Sequence, residues 1–264
     1  MARDLALPTL PDNIIEIRGL KTYFGSVCIH DNVNLEIRRG ETIGLVGGSG
    51  SGKTTLLREM LMLETPTAGT IRVLGQDIIR LSEAQTDALR QRMGVMFQQG
   101  ALFTSLTVHE NVAVPLEEHT KLPARLIQEL ALLKVALAGL PKDAAFKYPE
   151  QLSGGMLKRA AVARALALDP ELLFLDEPSA GLDPISANAL DELIVQLKES
   201  LGLTVVLVTH DLDSLWRVTD RVAFLGEKRV LGLAPMEELS EHPHPLIQAY
   251  FRGPRGRVAA RAQA

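Results

Sequence analysis

Eight consecutive residues, Gly47–Thr54, read GGSGSGKT and match G-x-x-x-x-G-K-[ST], a pattern whose chemistry is the binding of a phosphate chain. Gly47, Gly48, Gly50 and Gly52, with Ser49 and Ser51 between them, let successive backbone N–H groups turn toward phosphate oxygens. Lys53 adds a cation toward the β and γ phosphates, and Thr54 offers its hydroxyl to Mg²⁺. Thr55 follows in the first turn of the helix, whose N-terminus adds positive potential. A glycine-rich turn alone would mean little. Here an apolar strand precedes the run and a helix-forming stretch follows it, which is the context this chemistry requires.

Two carboxylates form the second candidate group. The run LLFLDEP ends four apolar residues with Asp176 and Glu177, placing both at the carboxyl end of a buried strand, where ligands of parallel sheets bind. Asp176 is suited to hold Mg²⁺, and Glu177 to accept a hydrogen bond from an attacking water. Alone, such a pair more often caps a helix. Beside a phosphate loop it reads as a hydrolytic site. Upstream, Ser153, Gly154 and Gly155 in LSGGM open a helix and so make a further anion-binding N-terminus.

LSGGM resembles the LSGGQ signature of ABC ATPases, and it falls in the matching order between the phosphate loop and the acidic strand. The resemblance extends from Ile14 to about Phe251. It implies an α/β fold: a P-loop NTPase (RecA-like) core with the ABC antiparallel β layer and an inserted helical subdomain. It implies ATP and Mg²⁺ as cofactors, and a homodimer in which Ser153, Gly154 and Gly155 of one protomer close on the ATP held by the other. Residue by residue, it gives Gln98 in VMFQQG a role on Mg²⁺ with Thr54 and Asp176. It gives Asp183, at the end of the D-loop Ser179–Asp183, a place at the nucleotide. His210 in VTHD becomes a γ-phosphate contact, joining Glu177 and Lys53 as the catalytic set. Phe24 becomes the base-stacking aromatic, with Tyr23 as its competitor.

Met156 stands where the signature usually has glutamine. Together with Phe97–Pro123, it makes the chain similar to the MlaF-like ATPases of the bacterial phospholipid-trafficking (Mla, or toluene-tolerance) transporters. That resemblance implies a membrane permease (MlaE-like), a STAS-domain regulator (MlaB-like) and an MCE lipid-binding protein (MlaD-like) as partners, with lipid as cargo. It places the chain peripherally on the cytoplasmic side of the inner membrane. Another cargo, such as an amino acid or lipoprotein, is the first alternative. A non-transport ABC ATPase is the second, although such chains usually carry two cassettes or long coiled-coil insertions. The third is a nucleotide sensor without turnover, which would have no use for Glu177.

These residues need a scaffold. Alternating apolar positions at Ile15 and Ile17, and at Val33, Leu35 and Ile37, predict half-buried antiparallel strands. Further strands are expected at Thr42–Val46, Thr70–Leu74, Gly94–Phe97, Leu172–Leu175, Thr204–Val208 and Arg221–Leu225, and helices at Lys53–Met62, Ala124–Leu137, Gly154–Leu168 and Ser186–Leu201. This divides the chain into an ATPase domain over 14–251, with its core at 14–97 and 171–233 and a helical subdomain at 98–170, and a basic tail at 252–264. After Gln98, the residues Leu102, Phe103, Leu106 and Val108 are more apolar than a solvated loop needs. The segment 98–123 is therefore expected to dock the permease, against the plainer expectation that these side chains pack the subdomain.

Composition bounds the rest. Of 264 residues 46% are apolar, enough for a substantial core, and a net charge of -4 offers no global basic field for nucleic acid. Cys28, the single cysteine, cannot form an intrachain disulfide and reads as a small, inert hydrophobe. MARDLALPTLPDN shows no secretory pattern, so a cytoplasmic protein is expected. His242 and His244 in EHPHP read as a turn before a short helix, and the arginines from Arg252 onward as a solvated tail.

Overall fold

In the parallel core, strand residues point alternately to two covered faces, so nearly every position is apolar. The computed structural model describes residues 12–98 and 100–252. The chain begins with β1 (Asn13–Phe24), β2 (Val27–Arg38), β3 (Thr42–Gly47), α1 (Lys53–Met60), β4 (Ala68–Val73), β5 (Gln76–Asp77), α2 (Glu83–Arg90) and β6 (Met93–Met96). The helical stretch follows as α3 (Val108–His119), α4 (Ala124–Leu137) and α5 (Gly154–Ala165). Then come β7 (Leu172–Asp176), α6 (Pro184–Leu201), β8 (Thr204–Val208), α7 (Leu212–Val218), β9 (Arg221–Gly226), β10 (Arg229–Ala234), α8 (Met236–Ser240) and α9 (Pro245–Arg252).

Two sheets result. One is antiparallel, in the order β2-β1-β4-β5; the other has six strands in the order β10-β9-β3-β8-β7-β6, parallel except for β10. Period-two alternation sorts the parallel strands between two cores. Leu172, Phe174, Val206 and Val208 face α1 and the antiparallel sheet. Leu173, Leu175, Val205 and Leu207 face α5 and α6. Because β3 lies between β9 and β8, with β7 beyond, the loops leaving β3, β7 and β8 emerge side by side.

α5 joins the helical stretch to the sheet. Ala161, Val162 and Leu166 pack toward the six-stranded sheet, while Ala160, Ala163 and Ala167 pack against α3 and α4. Its alanine-rich run lets it be buried on both sides, and it ends at Ala165 rather than at the predicted Leu168, which lies in the turn that follows. Two other expectations change. Arg252 is the last residue of α9, not the start of a tail; Arg255, Arg257 and Arg261 lie outside the described residues. Val108 is fully buried and Leu102 packs into the α3–α4 core, so these two serve packing; Leu106 is half-buried, and Phe103 is exposed.

Candidate functional site

β3 is buried along its whole length, which fixes where the following loop begins. Gly47 turns the chain at φ 148°, where an added methyl group would sit 2.2 Å from the Leu225 carbonyl. Gly52 caps α1 in the left-handed region at φ 95°. Lys53 Nζ donates to the carbonyls of Gly47 and Gly48 at 2.9 and 3.0 Å. Gly48, Ser49 and Gly50 are exposed, as is Thr54; Ser51 and Thr55 are half-buried. Burial pushes the Lys53 ammonium below its ordinary pKa, and Glu177 and Asp176 partly offset this by favouring its charge. The cation and both carboxylates therefore share one electrostatic site.

Asp176 ends β7 opposite Val208 of β8, so Glu177 and the residues after β8 meet. Glu177 N donates to Val208 O at 2.8 Å. His210 Nδ1 lies 2.8 Å from Glu177 Oε1, and Thr209 Oγ1 is 3.5 Å from Oε2. An ionised carboxylate only accepts, so Nδ1 carries the proton in this pair. The His210 ring stays 57% exposed, which leaves it open to a ligand. Burial, then the neighbouring Glu177, raises the pKa of Asp176, while Lys158, Arg58 and Lys53 pull it back.

Ser153 caps α5, its Oγ accepting from Met156 N at 3.3 Å. Ser153 and Gly154 are exposed and Gly155 is half-buried, while Met156 packs toward the α3–α4 core, where a glutamine amide would need a partner. Asp183 caps α6 through Ile185 N and Ser186 N, and these bonds, with that from the Ser186 side chain, hold its carboxyl below the usual range. Methyl groups on Gly154 and Gly155 would touch Leu182 and Ser186, so the start of α5 neighbours the loop before α6 and the first turn of α6.

The sequence reading missed two cations on α5. Lys158, buried, donates to the carbonyls of Gln98 at 2.6 Å and Glu177 at 3.3 Å. Arg164 donates to Gly100 O at 3.0 Å and Ala101 O at 2.6 Å. Burial lowers the pKa of both. The available signal was a set of cations, Lys158 and Arg164 with Arg159 beside the first, in a run otherwise made of glycine and apolar residues.

Phe24 and Tyr23 are both exposed near the β1–β2 turn. A cleft of about 530 Å³ beside the phosphate loop is lined by Gly48–Ser51, Cys28, Ile29, Phe224 and Tyr250, and neither Phe24 nor Tyr23 lines it. His242 and His244 each accept a backbone N–H two residues on, as turn and cap groups do. Cys28 is half-buried. Among the described residues no three His, Cys, Asp or Glu side chains converge as a metal cage. A hard cation held by one carboxylate and a hydroxyl, with phosphate and water oxygens completing its shell, suits Asp176 and Thr54.

Residues 30–180 match the family model for ABC transporters. The chain is 41% identical over 241 residues, 91% of each chain, to the intermembrane phospholipid transport system ATP-binding protein MlaF of Haemophilus influenzae. It is 39% identical, over 91% of its length and 67% of the relative's, to a probable ribonucleotide transport ATP-binding protein, mkl, of Mycobacterium tuberculosis. Among solved structures it is similar to a dimeric ATP-binding cassette in a post-hydrolysis state with ADP and Pi, at a TM-score of 0.77 and 31% identity over 84% of this chain and 98% of that one.

Proposed function

The chain belongs to the ABC transporter family, as an ATP-binding subunit that hydrolyses ATP, and from that premise we propose that it powers phospholipid transfer between inner and outer membranes. The observation that carries the cargo is the two-way, 91% coverage by a relative named for intermembrane phospholipid transport. Within the protein, Gly47–Thr55 bind the phosphates and Lys53 neutralises charge on them. Thr54, Asp176 and Gln98 hold Mg²⁺, which supplies charge neutralisation at the phosphates when bound. Glu177, its carboxylate oriented by His210, positions the attacking water. His210 also contacts the γ-phosphate, and Phe24 stacks on the base.

The working unit is a dimer. Ser153, Gly154 and Gly155 approach the nucleotide of the partner protomer, with Asp183 in the loop that joins the two sites; the exposure of Ser153 and Gly154 on this protomer is consistent with that use. We divide the chain into a core at 14–97 and 171–233 and a helical subdomain at 98–170. No helix among the described residues is long and apolar enough to cross a membrane. The protein is held peripherally at the cytoplasmic face of the inner membrane by a permease, with a STAS-domain regulator and an MCE protein in the same complex.

The test is isolation of the native complex from membranes with mass spectrometry of its bound small molecules. Phospholipid bound stoichiometrically, and transferred between membranes only with ATP, is the expected result. A complex that carries ribonucleotide beyond the ATP and ADP of its own cassettes, and no phospholipid, would favour the reading suggested by the mkl relative.

A further inference from the structure

Beneath the phosphate loop, three polar side chains interrupt an otherwise apolar core. Thr22 of β1 and His30 of β2 are register partners, continuing the inward rows that hold Leu20 and Val33. Glu59 reaches them from α1, between the buried Leu56 and Met60. Thr22 is 1% exposed, and His30 and Glu59 are fully buried. None of the three takes part in the chemistry described above. Buried polar groups of this kind destabilise a core unless each is satisfied.

The contacts show what they do. His30 Nε2 lies 3.2 Å from the carbonyl of Gly52, the residue before Lys53. A carbonyl only accepts, so Nε2 carries a proton and donates it. Nδ1 faces Thr22 Oγ1 at 3.2 Å and Glu59 Oε2 at 3.2 Å, the latter as an ion-pair contact rather than an aligned hydrogen bond. The Thr22 hydroxyl spends its own proton on Glu59 Oε1, so its oxygen presents a lone pair to the ring. The ring is thereby lodged between the Gly52 carbonyl on one side and Thr22 and Glu59 on the other. Thr22 and Glu59 thus set the ring orientation that turns Nε2 onto Gly52.

The contact reaches the loop at a sensitive point. Gly52 holds a left-handed conformation at φ 95°, and an added methyl group there would lie 2.5 Å from His30 Nε2. With its carbonyl tied back to β2, the peptide that follows presents the N–H of Lys53 at the helix N-terminus, where phosphate binds. We propose that His30 is a positioning residue for the phosphate loop, holding the Gly52 carbonyl from below, with Thr22 and Glu59 fixing its ring. The inference rests on the phosphate-binding role of Gly47–Thr54.

The test compares nucleotide affinity with turnover in the full chain. His30→Phe alone would strand the buried Glu59, so the informative variant is His30→Phe with Glu59→Leu, which keeps the core apolar and filled. It is expected to fold, with the wild-type circular dichroism spectrum, and to bind both ATP and ADP about three- to tenfold more weakly, the loss of one hydrogen bond. Its kcat at saturating ATP should stay within about twofold, since Glu177 and His210 are untouched. His30→Gln combined with Glu59→Leu, which strands no carboxylate and whose glutamine amide can still donate to Gly52, should recover most of the affinity. Wild-type affinity in the folded variant with His30→Phe and Glu59→Leu would overturn the proposal, as would equally weak binding by the variant with His30→Gln and Glu59→Leu. Lys53→Ala serves as control: if it too bound nucleotide normally, the phosphate-loop reading itself, rather than the His30 role, would be at fault.

Discussion

Glu177 combines a strained backbone with the position proposed for orienting the attacking water. Its φ of 50° is unusual for a residue with a side chain, and the conformation is held by its N–H on Val208 O and by Lys158 on its carbonyl. Strain maintained by contacts from two other elements is consistent with a carboxylate aimed at a reacting water. Glu177→Gln keeps the shape and removes the charge, so ATP should still bind while turnover falls by about 10²-fold or more. Nucleotide binding and steady-state hydrolysis measured on one preparation check this; activity near wild type would remove Glu177 from the mechanism. Asp176 carries a stability cost of a different origin, the burial of its carboxylate beside that of Glu177. Its pKa is raised in the folded protein, so the proton is bound more tightly there than in the unfolded chain. That contribution is stabilising below the ordinary carboxylate range and is lost as pH rises through the raised value. Asp176→Asn should therefore raise the Tm at neutral pH, lose that gain in acid, and lower hydrolysis. Thermal melts across pH give the check.

At the scale of elements, α5 is the connector. It opens at the exposed Ser153 and Gly154, Lys158 ties Gln98 to Glu177, and Arg164 ties down Gly100 and Ala101. A rigid helix anchored at these points cannot shift without moving the loop that carries Gln98. Lys158→Met preserves the bulk and removes the donor. Loss of the charge-assisted hydrogen bonds that hold the Gln98 and Glu177 backbones should lower kcat at least about tenfold. ATP affinity should change little, because the phosphate loop lies on another element. A KM for ATP that rose while kcat held would refute the connector role. The ends of this helix were only partly legible in sequence. Ser153 marks the start through capping chemistry, whereas the stop follows from packing between two cores and carries no local signal.

For the whole molecule, the open question at each site is what completes it. If Ser153 acts on the partner's nucleotide, a dimer pairing a Ser153→Arg subunit with a Lys53→Ala subunit keeps one wild-type loop facing one wild-type signature. About half the activity of a wild-type dimer is then expected if the two sites fire independently, and loss of all activity would contradict the trans geometry. The surface proposed to dock the permease is open to the same kind of test. Asn111 presents Phe103 outward, accepting from Phe103 N at 2.8 Å and donating to the carbonyls of Phe103, Leu106 and Thr107. Phe103 is 53% exposed on that braced loop. Phe103→Asp should leave the chain folded and able to bind ATP, yet fail to copurify with its permease. Full copurification would leave Phe103 a surface residue without that role.

By itself the sequence determined whatever depends on neighbours along the chain. The GGSGSGKT turn, the apolar run ending in Asp176 and Glu177, the capping of α5 by Ser153 and the limits of α4 and β8 are all local patterns, and local patterns follow from backbone geometry and strand or helix period. Tertiary structure alone decided which of these residues meet. His210 reaches Glu177 because β8 lies between β3 and β7; Lys158 reaches the Gln98 and Glu177 carbonyls because α5 packs under both; His30 reaches Gly52 because β1 and β2 fold over α1. Partners so far apart in sequence leave no periodic trace. Their distances are set by strand order and by the packing of side chains between layers, and both exist only once the whole core has closed.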